Sequence, residues 1–433
     1  MVFNSCTFVN LMNCTSVHSF RNALRSGLEA VPRYFRNSLD YQLSYALSDI
    51  SEKEWNSLNF SRSTFLDYQH LLALSASEHT DVKFIFAKFV NEETPVGIAV
   101  FQIALLEADN LHERIGKGRL AEMLGRKFAP KNGLPYILIC GSAFATGEHG
   151  YSFNPIIPSQ KAMNGLCEAL TEIIRNEDRP DQSISAMLIK DFYQNKFKEA
   201  KALEKCGFRS FDVDHNMEMP ILENWLSFDD YLQDLNSKFR TKANGAFKKS
   251  EPLSVQFFNQ KQIIEHQDKI QELYDAVHDK ADFKIGHLNS NILAGMKEKL
   301  GDDMIFRAYF LEEQIIGFSI ALDAPDQLEA FIVGIDYKVN TTYALYSRML
   351  YDYIDTAISR RKNKIVFGRT AGEIKSTVGA FPIQLKCCIR HPGRLPNVLL
   401  NIIFKYVEPS SFPTRNPYKE TTFKKIQALG YHY

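Results

Sequence analysis

Residues 314–321 read QIIGFSIA, and residues 94–101 read TPVGIAVF. Both are apolar, rich in β-branched and aromatic residues, and carry one glycine near the middle. That is the composition of a strand with a bulge or a close backbone approach. A second strand-like run precedes each: MIFRAYFL (304–311) through the turn EEQ, and VKFIFAKFV (82–90) through NEETP. Each pair predicts a hairpin. A further match follows each hairpin, YILICGSA (136–143) and EAFIVGID (329–336), again with a glycine at a comparable point.

Working outward, the same order of elements recurs. In the first half a helix runs from Ser159 to about Arg175, with Ser159 as candidate N-cap. A strand SAMLIKDF (185–192), a helix ending at EKCGF (204–208) and a strand RSFDVDHNMEM (209–219) complete it. In the second half, helices at 263–280 and 289–301 precede the hairpin, and a helix at 342–361 and the strand KIVFGR (364–369) follow. Between the halves, 223–250 reads as one charged bridging helix. The expected fold class is α/β, with mixed α+β sheets, in two tandem domains, 1–222 and 251–433, joined by that helix.

Size and composition agree. A chain of 433 residues exceeds what one hydrophobic core ordinarily serves. Basic and acidic residues balance at 51 each, so no globally basic face for DNA is expected. The seven cysteines form no CxxC pair and read as reduced thiols in a cytoplasmic protein. The N-terminus has no secretory pattern, and no apolar run is long enough to span a bilayer. The nearest to such a run, LPNVLLNIIF (395–404), reads as buried core or as contact with a membrane or acyl chain. RIGKGR (114–119) precedes a strand instead of following one, so it is a weak phosphate-loop match.

Hairpin, strand with a central glycine, loop, helix, strand, helix, strand resembles the GNAT acyltransferases. A tandem pair joined by FDDYLQDLNSKFRTKANGAFKK (228–249) looks like the Fem-type and related two-GNAT N-acyltransferases. EIKSTVGA (373–380) is similar to the K-x-x-x-G element that follows the fifth strand there. The resemblance implies acyl transfer from a carrier to a primary amine, with no resident cofactor and no metal. The coenzyme A loop Q/R-x-x-G-x-G/A is missing from both halves. The carrier therefore stays open between acyl-CoA, acyl-carrier protein and, as in Fem-type relatives, aminoacyl-tRNA. A scaffold protein whose GNAT-like halves have lost catalysis is the rival reading.

Candidate residues follow. FGRTAGEIKSTVGA (367–380) leaves an apolar strand where α/β sheets place functional groups. The resemblance gives Lys375 an oxyanion or carrier-phosphate contact. Arg369 suits a phosphate or carboxylate, and Glu373 a general base. The structural alternative is an i,i+4 ion pair between Arg369 and Glu373. Lys190 and Asp191 hold the equivalent place in the first half as substrate contacts. His149, in a glycine-flanked loop, is a further candidate base. Asp282, Lys284 and His287 lie in the loop that borders the acceptor site in GNAT-like folds. Asn340, Thr341 and Thr342 either offer a helix N-terminus to a pyrophosphate or simply cap the helix. The basic run Lys238, Arg240, Lys242, Lys248 and Lys249 is a solvated helix face, or a grip on a carrier phosphate, tRNA or an anionic membrane surface. The acceptor is expected to be a small-molecule or lipid-like amine, and the location cytoplasmic, with peripheral contact at the inner membrane face as an option.

Overall fold

The structure, a computed structural model, describes residues 37–75, 82–107, 136–177, 184–280, 284–393, 397 and 409–433. Asp282, the RIGKGR segment and all of the 395–404 run but Asn397 lie outside the described residues. The first half contains β1 (Asp40–Ser44), β2 (Val82–Asn91), β3 (Thr94–Glu107), β4 (Tyr136–Cys140), β5 (Tyr151–Phe153), β6 (Ile184–Tyr193) and β7 (Arg209–Pro220). Its helices are α1 (Glu52–Ser57), α2 (Tyr68–Ser75), α3 (Ser159–Glu177) and α4 (Phe197–Leu203). The connection holds α5 (Phe228–Asp234) and α6 (Ser237–Lys249). The second half contains β8 (Leu253–Phe257), β9 (Lys284–Ile285), β10 (Met304–Leu311), β11 (Gln314–Asp323), β12 (Gln327–Ile335), β13 (Lys364–Gly368) and β14 (Phe381–Arg390). Its helices are α7 (Gln260–Glu265), α8 (Gln267–His278), α9 (Ser290–Leu300), α10 (Tyr337–Tyr343), α11 (Leu345–Ser359), α12 (Gly372–Thr377) and α13 (Glu420–Ala428).

The hairpin glycines sit at the same irregularity in both halves. In β2–β3 the register jumps from Phe89↔Gly97 to Val90↔Pro95, and in β10–β11 from Tyr309↔Gly317 to Phe310↔Ile315. Each is a one-residue bulge beside the glycine. A Cβ on Gly97 would lie 2.3 Å from the Phe153 ring, and one on Gly317 2.8 Å from the Met349 methyl. Both glycines therefore mark close packing over a bulge.

One sheet runs through the molecule in the order β1-β2-β3-β4-β6-β14-β7-β13-β12-β11-β10-β8. The last strand of each half has crossed over. β14 lies between β6 and β7, and β7 between β14 and β13, so neither pairs with a strand of its own half. One face carries a core shared by both halves, with α2, α8 and α9 packed on it. The other face is covered by α3 and α4 over the first half and by α5, α6, α11 and α13 over the second.

The bridging segment is two helices, not one. A capping box at Ser227 and Asp230 starts α5. The chain breaks at Leu235 and Asn236, where Leu235 is fully buried and bridges Tyr418 while the Asn236 N–H donates to Pro417 O at 2.8 Å. The break is held by these contacts with residues 417 and 418. Among the described residues no helix is long and apolar enough to cross a membrane, and the five described cysteines are free thiols.

Candidate active site between the halves

β12 and β13 run parallel and pair only at Gln327↔Lys364, Leu328↔Ile365 and Glu329↔Val366. Beyond Glu329 they separate, and among the described residues no strand pairs with the freed edge of β12. Unpaired edge groups and the gap between them suit an extended, amide-bearing ligand.

In the first half the corresponding place is filled. β4 ends at Cys140, and β5 resumes the pairing with β3 at Ala99↔Tyr151 through Gly97↔Phe153. β4 and β5 together thus match the single strand β12, interrupted by a loop over 141–150. Lys190 Nζ donates to Ser142 O (2.5 Å) and Ala145 O (3.0 Å) of that loop. Gly147 N–H donates to Asp191 Oδ2 (3.0 Å), and Tyr193 N–H to Glu148 Oε1 (2.9 Å). His149 belongs to this plug. It is buried, its Nδ1 lies 2.9 Å from Ser63 Oγ and its Nε2 3.1 Å from Thr146 O. Burial pulls its pKa down to about 3, so the ring is neutral. It does not line the cavity described next.

A cavity of about 830 Å³ opens at the splay and reaches across β7 and β14 to the first half. Its walls are largely apolar, with Phe211, Phe331 and Phe412 among them, and its charged lining includes Glu329, Lys190, Lys280 and Arg369. Glu329 is 4% exposed and accepts from Gln327 Nε2. Burial, with a smaller push from the neighbouring Glu218 carboxylate, raises its pKa to about 8. Glu218 is itself paired with Lys364 at 2.8 Å. Sequence reasoning passed over Glu329, although one carboxylate inside the apolar run LEAFIVGI was a visible signal.

At the other end the FGRTAGEIKSTVGA segment (367–380) of the second half meets the first half. Arg369 pairs with Asp191, which is fully buried; the expected i,i+4 partner Glu373 instead pairs with Arg415 at 2.9 Å, half-exposed. A bulge explains how neighbours on one strand converge here. Between Phe192↔Lys386 and Ile189↔Cys388, two residues of β6 face Cys387 alone, and Asp191 takes φ +64°. Its carboxylate then lies 3.7 Å from Lys190 Nζ and accepts from Cys387 Sγ at 3.4 Å. Burial and the Arg369 cation lower the Lys190 pKa to about 7.

Lys375 stands outside the cavity lining. It is buried, with Nζ donating to Phe367 O (2.7 Å) and Gly368 O (3.3 Å), and burial lowers its pKa to about 7. It fastens α12 to the end of β13. The glycines there are conformational: Gly368 takes φ +78° where the chain leaves the strand, and a Cβ on Gly372 would lie 2.4 Å from Phe412.

The helix-terminus expectation is corrected. α10 starts at Tyr337 with the Asp336 carboxylate as its N-cap, so Asn340, Thr341 and Thr342 lie in its later turns. Asn340 Oδ1 accepts from Tyr346 N–H at 2.9 Å and thereby caps α11, while both threonines are exposed. His287 pairs with Asp275 at 2.7 Å and does not line the cavity; Lys284 lies on β9, whose next residue, Ile285, does.

No family model and no curated protein sequence matches the chain. Solved structures do. A tandem GNAT protein from the clavulanic acid biosynthesis pathway superposes with a TM-score of 0.50 at 9% identity, covering 82% of this chain and 99% of that one. FemX gives a TM-score of 0.47 at 12% identity, covering 84% of this chain and 100% of that one. The duplicated bulged hairpins, the splayed parallel pair and the first of these superpositions give one conclusion: the chain has the tandem GNAT fold.

Proposed function

We propose that the chain is an acyltransferase that moves an acyl group from a thioester carrier to a primary amine, at the splay of the second half. The carrying observation is Glu329, a buried carboxylate lining a largely apolar cavity where the sheet opens. The thioester arm lies along the free edge of β12. The amine nitrogen gives a proton to Glu329 and attacks the thioester carbon. The new C–N bond forms, the C–S bond breaks, and the leaving thiolate takes a proton back. A base with a pKa near the working pH suits that transfer. The name of the tandem GNAT relative mentions AcCoA, which supports a thioester donor. Acyl-carrier protein stays an alternative donor, because the Asp336 carboxylate and Asn340 occupy the helix starts that a diphosphate would otherwise use.

The test is thermal shift with acetyl-CoA, palmitoyl-CoA, acyl-carrier protein thioester and tRNA, followed by transfer of labelled acyl group to an amine panel. A ligand at about 100 times its Kd stabilises by about 2.7 kcal/mol. Stabilisation by a thioester with transfer that Glu329→Gln slows at least about 100-fold supports the proposal. Response to tRNA alone would move it to aminoacyl transfer.

A further inference from the structure

At the end remote from Glu329 the cavity brings two basic side chains onto one buried carboxylate. Lys190 and Arg369 share one carboxylate, Asp191. The Asp191 oxygens are already occupied by Gly147 N–H and Cys387 Sγ as well. The other carboxylates of the lining are engaged elsewhere: Asp212 accepts from Lys386 Nζ and Gln384 Nε2, each at 2.8 Å, and Asp214 from Ser410 N–H at 2.7 Å. Asp212 is thus paired with a cation of its own, Lys386.

Lys190 has its protons committed to two loop carbonyls. Arg369 does not. Its Nη2 ion-pairs with Asp191, Nη2 and Nε are both buried without a geometrically formed hydrogen bond, and no hydrogen bond from its Nη1 is formed among the described residues. A quarter of the side chain is exposed, in a cavity that it lines. A guanidinium held in place by a buried carboxylate, with one arm free, is built to receive a second anion. Lys280, also on the lining, is a third basic side chain, its ammonium 3.1 Å from the centre of the Tyr337 ring.

We propose that the acceptor amine bears an anionic group, a carboxylate or phosphate, that docks on the free arm of Arg369 while its amine lies at Glu329. This rests on the acyl-transfer reading above. The span is bounded by the chain: Val366 pairs with Glu329, and Arg369 follows three residues later, just past the end of β13 at Gly368, so the backbone separation is at most about 10 Å. The cavity walls are largely apolar. The acceptor is therefore an amine and an anion joined by a mostly aliphatic spacer, of the length of an ω-amino acid with five to seven carbons, on the order of 10 Å with its contacts.

The probes are 6-aminohexanoate and hexylamine, which share a spacer and differ in the anion. Titration calorimetry without any donor should show at least about tenfold tighter binding of 6-aminohexanoate to the wild type. Arg369→Lys leaves a cation for Asp191 but no second arm, so its thermal midpoint should stay near wild type and the preference should fall below about twofold. Equal affinity for the two amines, no binding of either, or a preference that survives in Arg369→Lys overturns the proposal. A donor arm settles the source of the anion, with S-acetyl-N-acetylcysteamine compared against acetyl-phosphopantetheine. If Arg369→Lys weakens only the phosphate-bearing thioester, the anion belongs to the carrier and the proposal fails. Arg369-dependent binding of 6-aminohexanoate without acyl transfer keeps this inference and sinks the reaction. Transfer without preference does the reverse.

Discussion

Glu329 and Lys375 are both buried ionisable groups, yet burial acts on them in opposite directions. A carboxylate taken from water is held protonated, and an ammonium is driven towards neutrality. For Glu329 the consequence is kinetic. With a pKa near 8, the transfer rate should climb with pH to about 8 and then level. Glu329→Gln should lose about 100- to 10,000-fold in kcat/KM and abolish that climb, in a profile from pH 6 to 9. The same shift has a thermodynamic sign. The raised folded pKa favours the protonated state, so this contribution is complete below the unfolded value and disappears as pH rises through about 8. Glu329→Gln should therefore gain thermal midpoint over wild type at pH 9 and not at pH 5. Equal shifts at both pH values would contradict the burial.

Lys375 runs the other way. Its folded pKa, about 7, lies below the unfolded value, so wild-type stability should rise between about pH 7 and 10 and fall again on acidification. Lys190 contributes to the same slope. Lys375→Met should make the rise shallower and, by stripping Phe367 O and Gly368 O of a donor, cost about 1–3 kcal/mol at pH 9. Denaturant titration at pH 7 and 9 measures both effects. An unchanged slope would mean that the ammonium reaches water.

At the level of elements, what was legible depended on range. The hairpins, β6, β13 and the helices around them follow from local composition and period, and the strand glycines announced close packing. Arg369, Lys190 and Asp191 were legible as candidates because charges at the end of an apolar strand need partners; that they would meet one another was not. β14 was missed. FPIQLKCCIR carries a proline and a broken alternation, and its pairing partners lie about 200 residues away in the first half. The plug over 141–150 was hidden for a similar reason, since only the second half shows what the uninterrupted strand looks like. A glycine pair tests this level. A Cβ on Gly334 would lie 2.1 Å from the Phe318 ring across the strand pair, whereas one on Gly295 in α9 meets nothing within 4 Å. Gly334→Ala should destabilise by about 1–3 kcal/mol. Gly295→Ala should stabilise by about 0.5–1 kcal/mol, as alanine does inside a helix. Similar effects at both sites would mean that the strand packing is looser than the structure has it.

The exchange of β7 and β14 decides how the whole molecule behaves. β7 has β14 and β13 as its only sheet neighbours among the described residues, and β14 has β6 and β7. Residues 1–226 alone would leave β7 without a sheet partner and the apolar edge of β6 open; residues 227–433 alone would do the same to β14 and β13. An open, long edge strand invites aggregation. The Asp191–Arg369 pair ties the halves at the same place, and separating it would strand a buried carboxylate. The intact chain should therefore unfold in one cooperative transition, with fluorescence and circular dichroism coinciding in denaturant. Each fragment expressed alone should be insoluble or lack cooperative unfolding, and co-expression should recover a soluble one-to-one complex. A fragment that is soluble, monomeric and cooperatively folded on its own would show that the crossed strands are dispensable, and the cavity they floor would then belong to one half instead of to the junction of both.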